Sequence, residues 1–187
     1  MPSFHPGFAP LRSAALQALQ ALLGLGAWLA VGAAQAQSAT HEEVARLLRA
    51  GLAGEAQQKA EAGLANRPND AQLRFLKGVA QSQGGQSEAA RATFSALTQE
   101  FPELPEPYNN LAVLDAAAGR LDAARAALET ALRLNPGYAT AQQNLGDVYA
   151  RLAGRAWARA LELDPGNPAL PPRLQLIQQL PLTQAAP

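Results

Sequence analysis

Cysteine is absent from the 187-residue chain, and histidine and aromatic residues are scarce. The absence of cysteine excludes a disulfide scaffold, a thiolate zinc site, an iron–sulfur cluster and a cysteine nucleophile. Net charge is also absent, because 15 Lys and Arg balance 15 Asp and Glu. This balance argues against a nucleic-acid partner and against a polybasic membrane-surface binder, since both need a basic surplus. Aromatics make up only 5% while alanine and leucine dominate, which favours closely packed helices.

The first 36 residues have the pattern of an export signal. Arg12 is followed by a charge-free stretch over Ala21–Ala34, and Ala34-Gln35-Ala36 supplies a small-residue cleavage site. A cationic start, an apolar core and an A-x-A site are typical of secretory signal peptides. An uncleaved anchor over Ala14–Ala34 is the alternative. Thirteen of the 15 cations are arginine, a pattern associated with GC-rich bacterial genomes. We therefore expect a periplasmic protein, or one anchored in the inner membrane and facing the periplasm.

Three kinds of residue then recur with one period of 34 residues. Each unit is interpreted as a helix, a turn at a glycine, a second helix holding an alanine, and a stop at a proline. Glycine suits the turn because it accepts positive φ, and proline suits the stop because it lacks an amide donor. The markers are Gly51, Gly85 and Gly119, Ala56, Ala90 and Ala124, and Pro68, Pro102 and Pro136.

The third unit carries the clearest motif. Tyr108 and Leu111-Ala112 lie on one helical stripe, Leu128 lies on a second, and Pro136 ends the unit. This order resembles the tetratricopeptide repeat, W-x2-L-G-x2-Y followed by A, F, A and P, although Asp115 stands where the family has tyrosine. The resemblance implies an all-α, right-handed superhelical solenoid of about four helix pairs, the first eroded and the fourth shortened, with a C-terminal capping helix.

The repeat register divides the chain into seven segments. They are a signal peptide or anchor over 1–36, a degenerate repeat over 37–70, repeats over 71–104 and 105–138, a shortened repeat over 139–167, a capping helix over 168–181 and a loose tail over 182–187.

The fourth unit opens well and closes early. Its residues 145–149 match L-G-x2-Y, but Pro136 and Pro165 are 29 residues apart, five fewer than the period requires. The missing residues fall between Tyr149 and Trp157, across the usual turn. We therefore predict that the two helices of this unit fuse, or meet at a tight kink at Gly154.

The resemblance also implies a function, because tetratricopeptide arrays bind a peptide or partner protein on the concave face formed by the first helix of each pair. The positions carried over are Phe75, Val79, Asn109, Asn110, Val113, Gln143, Asn144 and Asp147. Packing between repeats is an alternative role for the apolar members, as is a structural role for the asparagines. The lysines with which some family members clamp a C-terminal carboxylate are absent from these rows.

The predicted function is a non-catalytic adaptor of the bacterial cell envelope, with a protein or peptide partner and no nucleic acid. The membrane would be contacted only through an uncleaved N-terminal segment. The alternative is a self-associating structural subunit of an envelope assembly.

A search for chemistry predicts no catalytic residue, metal site or cofactor. His41-Glu42-Glu43-Val44-Ala45 begins like a helical zinc motif, but Ala45 stands where the second histidine is required. The same stretch is interpreted as a solvated helix start capped by Thr40, with Glu43 as the reciprocal partner.

Overall fold

The computed structural model describes residues 38–179, and within that range every regular element is an α-helix. The predicted export signal or anchor over 1–36 and the predicted tail over 182–187 lie outside the described residues. The helices are α1 (38–49), α2 (Ala53–Asn66), α3 (Ala71–Gln83), α4 (Ser87–Glu100), α5 (Pro105–Ala117), α6 (Leu121–Leu134), α7 (Ala139–Leu163) and α8 (Leu170–Gln179).

The predicted turn glycines close the first three helix pairs. Gly51, Gly85 and Gly119 have φ values of 72°, 75° and 76°, a region that costs other residues steric strain. After each glycine the next amide reaches back five residues to a carbonyl, as Arg120 N does to Asp115 O at 2.8 Å. Pro68, Pro102 and Pro136 lie in the turns that separate one pair from the next. The predicted register of the repeats is therefore confirmed.

The helices pack mainly on their neighbours in sequence, so the core runs along the stack and has no single centre. The small residue predicted for the second helix of each unit is fully buried in the first three, at Ala56, Ala90 and Ala124. A large side chain lies four residues further on in two of them, Phe94 in α4 and Leu128 in α6, and both are buried. The predicted all-helical solenoid of stacked hairpins is confirmed.

Helix α7 contains both halves of the fourth unit in 25 continuous residues. Its helical conformation passes through Gly154 without a turn, so the predicted fusion is confirmed. Helix α8 packs against the second half of α7: Ile177 approaches Gly154, and the Arg173 guanidinium lies 5.6 Å from the centre of the Trp157 ring. The short fourth unit thus ends the stack with a long helix and a small helix beside it.

The predicted cap at Thr40 is wrong, because α1 is already helical at residue 38. A residue inside the helix cannot fill the N-cap position, whose backbone is not helical. The deviation of the second unit at Lys77 has a simple consequence. Leu73 and Leu76 fill the core there, while the Lys77 ammonium reaches Glu61 on α2 at 3.1 Å.

Candidate partner-binding surface

The predicted binding residues form rows of positions that repeat every 34 residues on the first helix of each unit. We call these rows the inner ladder, and its members lie on α1, α3, α5 and the first half of α7. They are His41, Phe75, Asn109 and Gln143 in the first row, Ala45, Val79, Val113 and Asp147 in the second, and Leu48, Ser82, Ala116 and Ala150 in the third. Asn110 and Asn144 lie one position beyond the first row.

Exposure along the inner ladder increases toward the C-terminal end of the first row. Phe75 is half-buried and Asn109 is buried, whereas Gln143 is exposed. In the second row, Val79 is buried while Val113 and Asp147 are half-buried. The part of the ladder most accessible to a partner therefore lies on α5 and α7.

The asparagines at the centre of the ladder bond to the protein itself. Asn144 Nδ2 donates to Asn109 Oδ1 at 2.8 Å, so one buried amide pair connects α7 to α5. Asn110 Nδ2 donates to the Glu106 carbonyl of its own helix at 3.0 Å. Buried polar groups need such partners, because an unpaired one costs about 1–3 kcal/mol. These bonds fix the spacing of neighbouring first helices.

The apolar floor predicted at Phe75 and Val79 is continuous with the core. The Phe75 ring lies 5.7 Å from the ring of Phe94, with an angle of 53° between the planes. Phe94 is fully buried and Val79 is 7% exposed. Phe75 therefore offers one side to solvent, while its other side anchors it against α4.

His41, at the N-terminal end of the ladder, is held by Asp70. Its Nε2 lies 3.0 Å from each carboxylate oxygen of Asp70, which also caps α3 by accepting from Leu73 N at 3.0 Å. Burial by itself would raise the pKa of Asp70. The hydrogen bond from Leu73, the contact with His41 and the charge of Arg67 outweigh it and lower the pKa. His41 thus connects the first helix pair to the second.

Asp115 is the functional-looking residue that sequence reasoning recorded only as a departure from the motif. Its buried carboxylate accepts hydrogen bonds from Arg91 Nε at 3.1 Å and from Arg120 Nε at 2.8 Å, both at Oδ1. The two arginines come from α4 and from the turn before α6. A carboxylate replacing an aromatic ring could have suggested a nearby cation, but the sequence offered no means of choosing which one.

Other kinds of site are limited in the described part of the chain. Over residues 38–179, no three histidine, aspartate or glutamate side chains are grouped so that they could hold a metal ion. A depression of about 360 Å³ between α1 and α2 is lined mostly by charged and polar side chains, among them Glu43, Arg46 and Lys59, and lies off the inner ladder. None of the helices described here is both long and apolar enough to cross a bilayer.

The geometry defines a class of protein: an α-helical repeat protein in which consecutive hairpins stack. A family model described as TPR repeat matches residues 114–152. The chain belongs to the tetratricopeptide repeat family. PYG7, a chloroplastic tetratricopeptide repeat domain-containing protein of Arabidopsis thaliana, is 40% identical over 76 residues, with coverage of 38% of this chain and 25% of that protein. The chain thus spans about a quarter of the length of this curated relative.

Solved structures of several proteins share the fold. The thermophilic TPR protein TTC0263 of Thermus thermophilus has a TM-score of 0.56 at 23% identity, covering 74% of this chain and 79% of that one. MamA has a TM-score of 0.53 at 22% identity, covering 72% and 81%. Naa15/Naa10 bound to HypK-THB gives 0.54 at 16% identity, covering 75% of this chain and 22% of the other.

Proposed function

We propose that this chain is a non-catalytic adaptor of the bacterial cell envelope that binds a peptide segment or a partner protein along the inner ladder. The observation that carries the proposal is the alignment of first-helix residues at one period on a fold whose concave face is a binding surface. Tetratricopeptide repeat proteins are in general scaffolds for protein partners, which supports the coarser part of the proposal.

The side chains of the ladder favour one kind of partner. Its accessible members are apolar, as at Val113, or amide-bearing, as at Gln143. Lysine occurs only at positions 59 and 77, neither of which lies on the ladder. We therefore infer a partner segment that presents apolar side chains and backbone amide groups, and we do not expect recognition of a terminal carboxylate.

The location is part of the proposal. It rests on the charge-free stretch over Ala21–Ala34 and the Ala34-Gln35-Ala36 site, which favour export to the periplasm. Retention in the inner membrane, with the repeats facing the periplasm, is the alternative for the same segment. N-terminal sequencing of the protein recovered from a bacterial host separates the two, since cleavage predicts a chain beginning at Gln37.

Binding is tested with a displayed library of random peptides as the probe. Selected peptides are expected to bind the native chain and to lose at least tenfold in affinity to Val113→Arg, which places a charge on the ladder. The matched control is Ala126→Arg, at an exposed position of the second helix α6. Equal binding to both variants, or peptides lost only in the control, would place recognition away from the ladder and refute the proposal.

A further inference from the structure

The two halves of α7 carry surfaces that pack together in the other repeats. In the second unit, Gly78 of α3 lies beneath Phe94 of α4, so closely that a Cβ at residue 78 would be 2.7 Å from Phe94 Cε1. In the third unit, Ala112 of α5 and Leu128 of α6 occupy the corresponding positions, and both are buried. A small residue on the first helix beneath a large one on the second is therefore the contact that closes a hairpin in this chain.

The first half of α7 has the small residue without its partner. Gly146 corresponds to Gly78 and Ala112, yet it is exposed and a Cβ there would meet nothing within 4 Å. Tyr149 is 48% exposed, whereas Asp115, its equivalent in the third unit, is buried. The fusion of the helices has left this face of α7 without the second helix that covers it in the other units.

The second half of α7 retains the other side of the contact. Counting back from the proline that ends each unit, Trp157 and Ala160 correspond to Leu128 and Ala131. Leu128 and Ala131 are buried, but Trp157 and Ala160 are only half-buried, although α8 lies beside them. The large aromatic residue of the pair is thus present and incompletely covered.

Gly146 and Trp157 cannot meet within one copy. They are 11 residues apart on one continuous helix, which separates them by about 16 Å along its axis. In an antiparallel pair of α7 helices, however, residue 146 of each copy lies opposite residue 157 of the other, and residue 150 lies opposite residue 153. The pairing is symmetric about a two-fold axis between residues 151 and 152, so both contacts form at once.

We propose that a second copy of this chain covers the open face of α7, with Trp157 of each copy over Gly146 of the other, as Phe94 lies over Gly78 within the second unit. The dimer exchanges the second helix of the fourth repeat between copies. Loss of the five-residue turn favours exchange, because a shortened connection prevents the hairpin from closing on itself. The contact continues the hairpin interfaces already present between α3 and α4 and between α5 and α6.

The charge pattern of α7 agrees with a copy of itself as the occupant. The open stripe contains no charged side chain and is formed by Gln142, Gly146, Tyr149, Ala150, Ala153, Trp157, Ala160 and Leu161. Arg155 and Arg159 lie off the stripe, where they donate to the Gly119 carbonyl at 3.0 Å and to Glu162 at 2.6 Å. The helix is about 37 Å long, which allows a contact near the lower end of the ~1,200–2,000 Å² typical of stable interfaces.

The mass of the full chain tests the proposal. We expect twice the monomer mass by light scattering in a non-ionic detergent, which shields the apolar segment over Ala21–Ala34. Gly146→Lys should return the mass to that of a monomer, because a long charged side chain cannot fit beneath Trp157. The matched control is Gly54→Lys, at another exposed helical glycine with nothing within 4 Å of a Cβ, and it should remain dimeric. Circular dichroism checks that both variants stay helical.

Crosslinking tests the register of the two helices. The native chain has no cysteine, so Gly146→Cys and Trp157→Cys chains with different tags can be mixed and oxidised without background thiols. A disulfide joining the two chains is expected, since facing positions come within the ~7 Å that a disulfide spans between Cα atoms. A Gly54→Cys chain in place of Gly146→Cys should give none. A monomeric native chain at every concentration, a dimer unaffected by Gly146→Lys, or crosslinks from residue 157 to residues 180–187 would each overturn the proposal.

Discussion

Arg91 of α4 donates a hydrogen bond from Nε to Oδ1 of Asp115 on α5 at 3.1 Å, and this contact ties the second helix pair to the third. Asp115 is 5% exposed at its side chain, whereas Arg91 is 42% exposed. The carboxylate is therefore the buried partner. It receives Arg120 as well, from the turn that opens α6.

Replacing Asp115 with asparagine should destabilise the solenoid. Two arginines would lose a charged acceptor, and the cost should be about 1–3 kcal/mol, less than for a fully buried pair because both arginines reach water. Urea unfolding followed by circular dichroism measures the loss. Asp122→Asn, at a side chain that is 71% exposed, should change the free energy of unfolding by less than about 0.5 kcal/mol. Equal effects of the two substitutions would contradict a stabilising role for Asp115.

Gly78→Ala should destabilise the second unit. The added Cβ would lie 2.7 Å from Phe94 Cε1 and 2.9 Å from Phe94 Cζ, and Phe94 is fully buried. Overpacking of this kind costs about 1–3 kcal/mol, which exceeds the ~1 kcal/mol that alanine gains over glycine in a helix. Thermal unfolding measures the difference.

Gly54→Ala serves as the control for that experiment, because nothing lies within 4 Å of a Cβ at residue 54. It should be neutral or stabilise the protein by up to about 1 kcal/mol. A stabilising effect of Gly78→Ala would show that the contact between α3 and α4 is looser than described.

Restoring the missing turn should break α7. Insertion of the five residues Ala-Gly-Arg-Leu-Asp after Ala153 gives the fourth unit the turn sequence of the third, found at residues 118–122. Spin labels at Thr140 and Arg159, both exposed, should be about 28 Å apart on the native helix and roughly 10–15 Å apart in a hairpin. Dilution with unlabelled chain removes distances between copies. An unchanged distance after the insertion would mean that the deletion is not what keeps the helix straight.

The contact between Asp70 and His41 predicts a dependence of stability on pH. The pKa of Asp70 is lowered in the folded chain, so its contribution to stability is fully present above the ordinary carboxyl pKa and is lost as pH falls through the lowered value. Asp70→Asn keeps a capping side chain but removes the charge, and should flatten the acid side of the stability profile. Urea midpoints measured at successive pH values test this. His41→Gln should reduce the slope only in part, since the Leu73 amide remains.

Much of the fold is predictable from the sequence because repeats report the same choice several times. Gly51, Gly85 and Gly119 mark turns at positive φ, and three prolines at the same period mark the joints. The fusion of α7 follows from arithmetic as well, since a hairpin cannot turn where five residues of its loop are missing. The error at Thr40 arose because capping residues also occur inside helices, and a local motif does not exclude earlier turns.

The inner ladder was predicted by position, but its accessibility was not. Sequence phase gives Phe75, Asn109 and Gln143 the same place in their units, although the structure leaves them half-buried, buried and exposed in that order. The difference depends on which neighbours cover each residue, and those neighbours come from other helices.

The sequence by itself determined the period, the sites of the turns and the shortening of the fourth unit, because each is a property of the local chain. Only the tertiary structure decided that Asp115 takes its cations from Arg91 and Arg120, that Asn144 bonds to Asn109, and that Gly146 lies open where Gly78 is covered. Local conformation is set by a residue and its neighbours along the chain. Burial and pairing are set by distances between helices, which exist only after the hairpins have stacked.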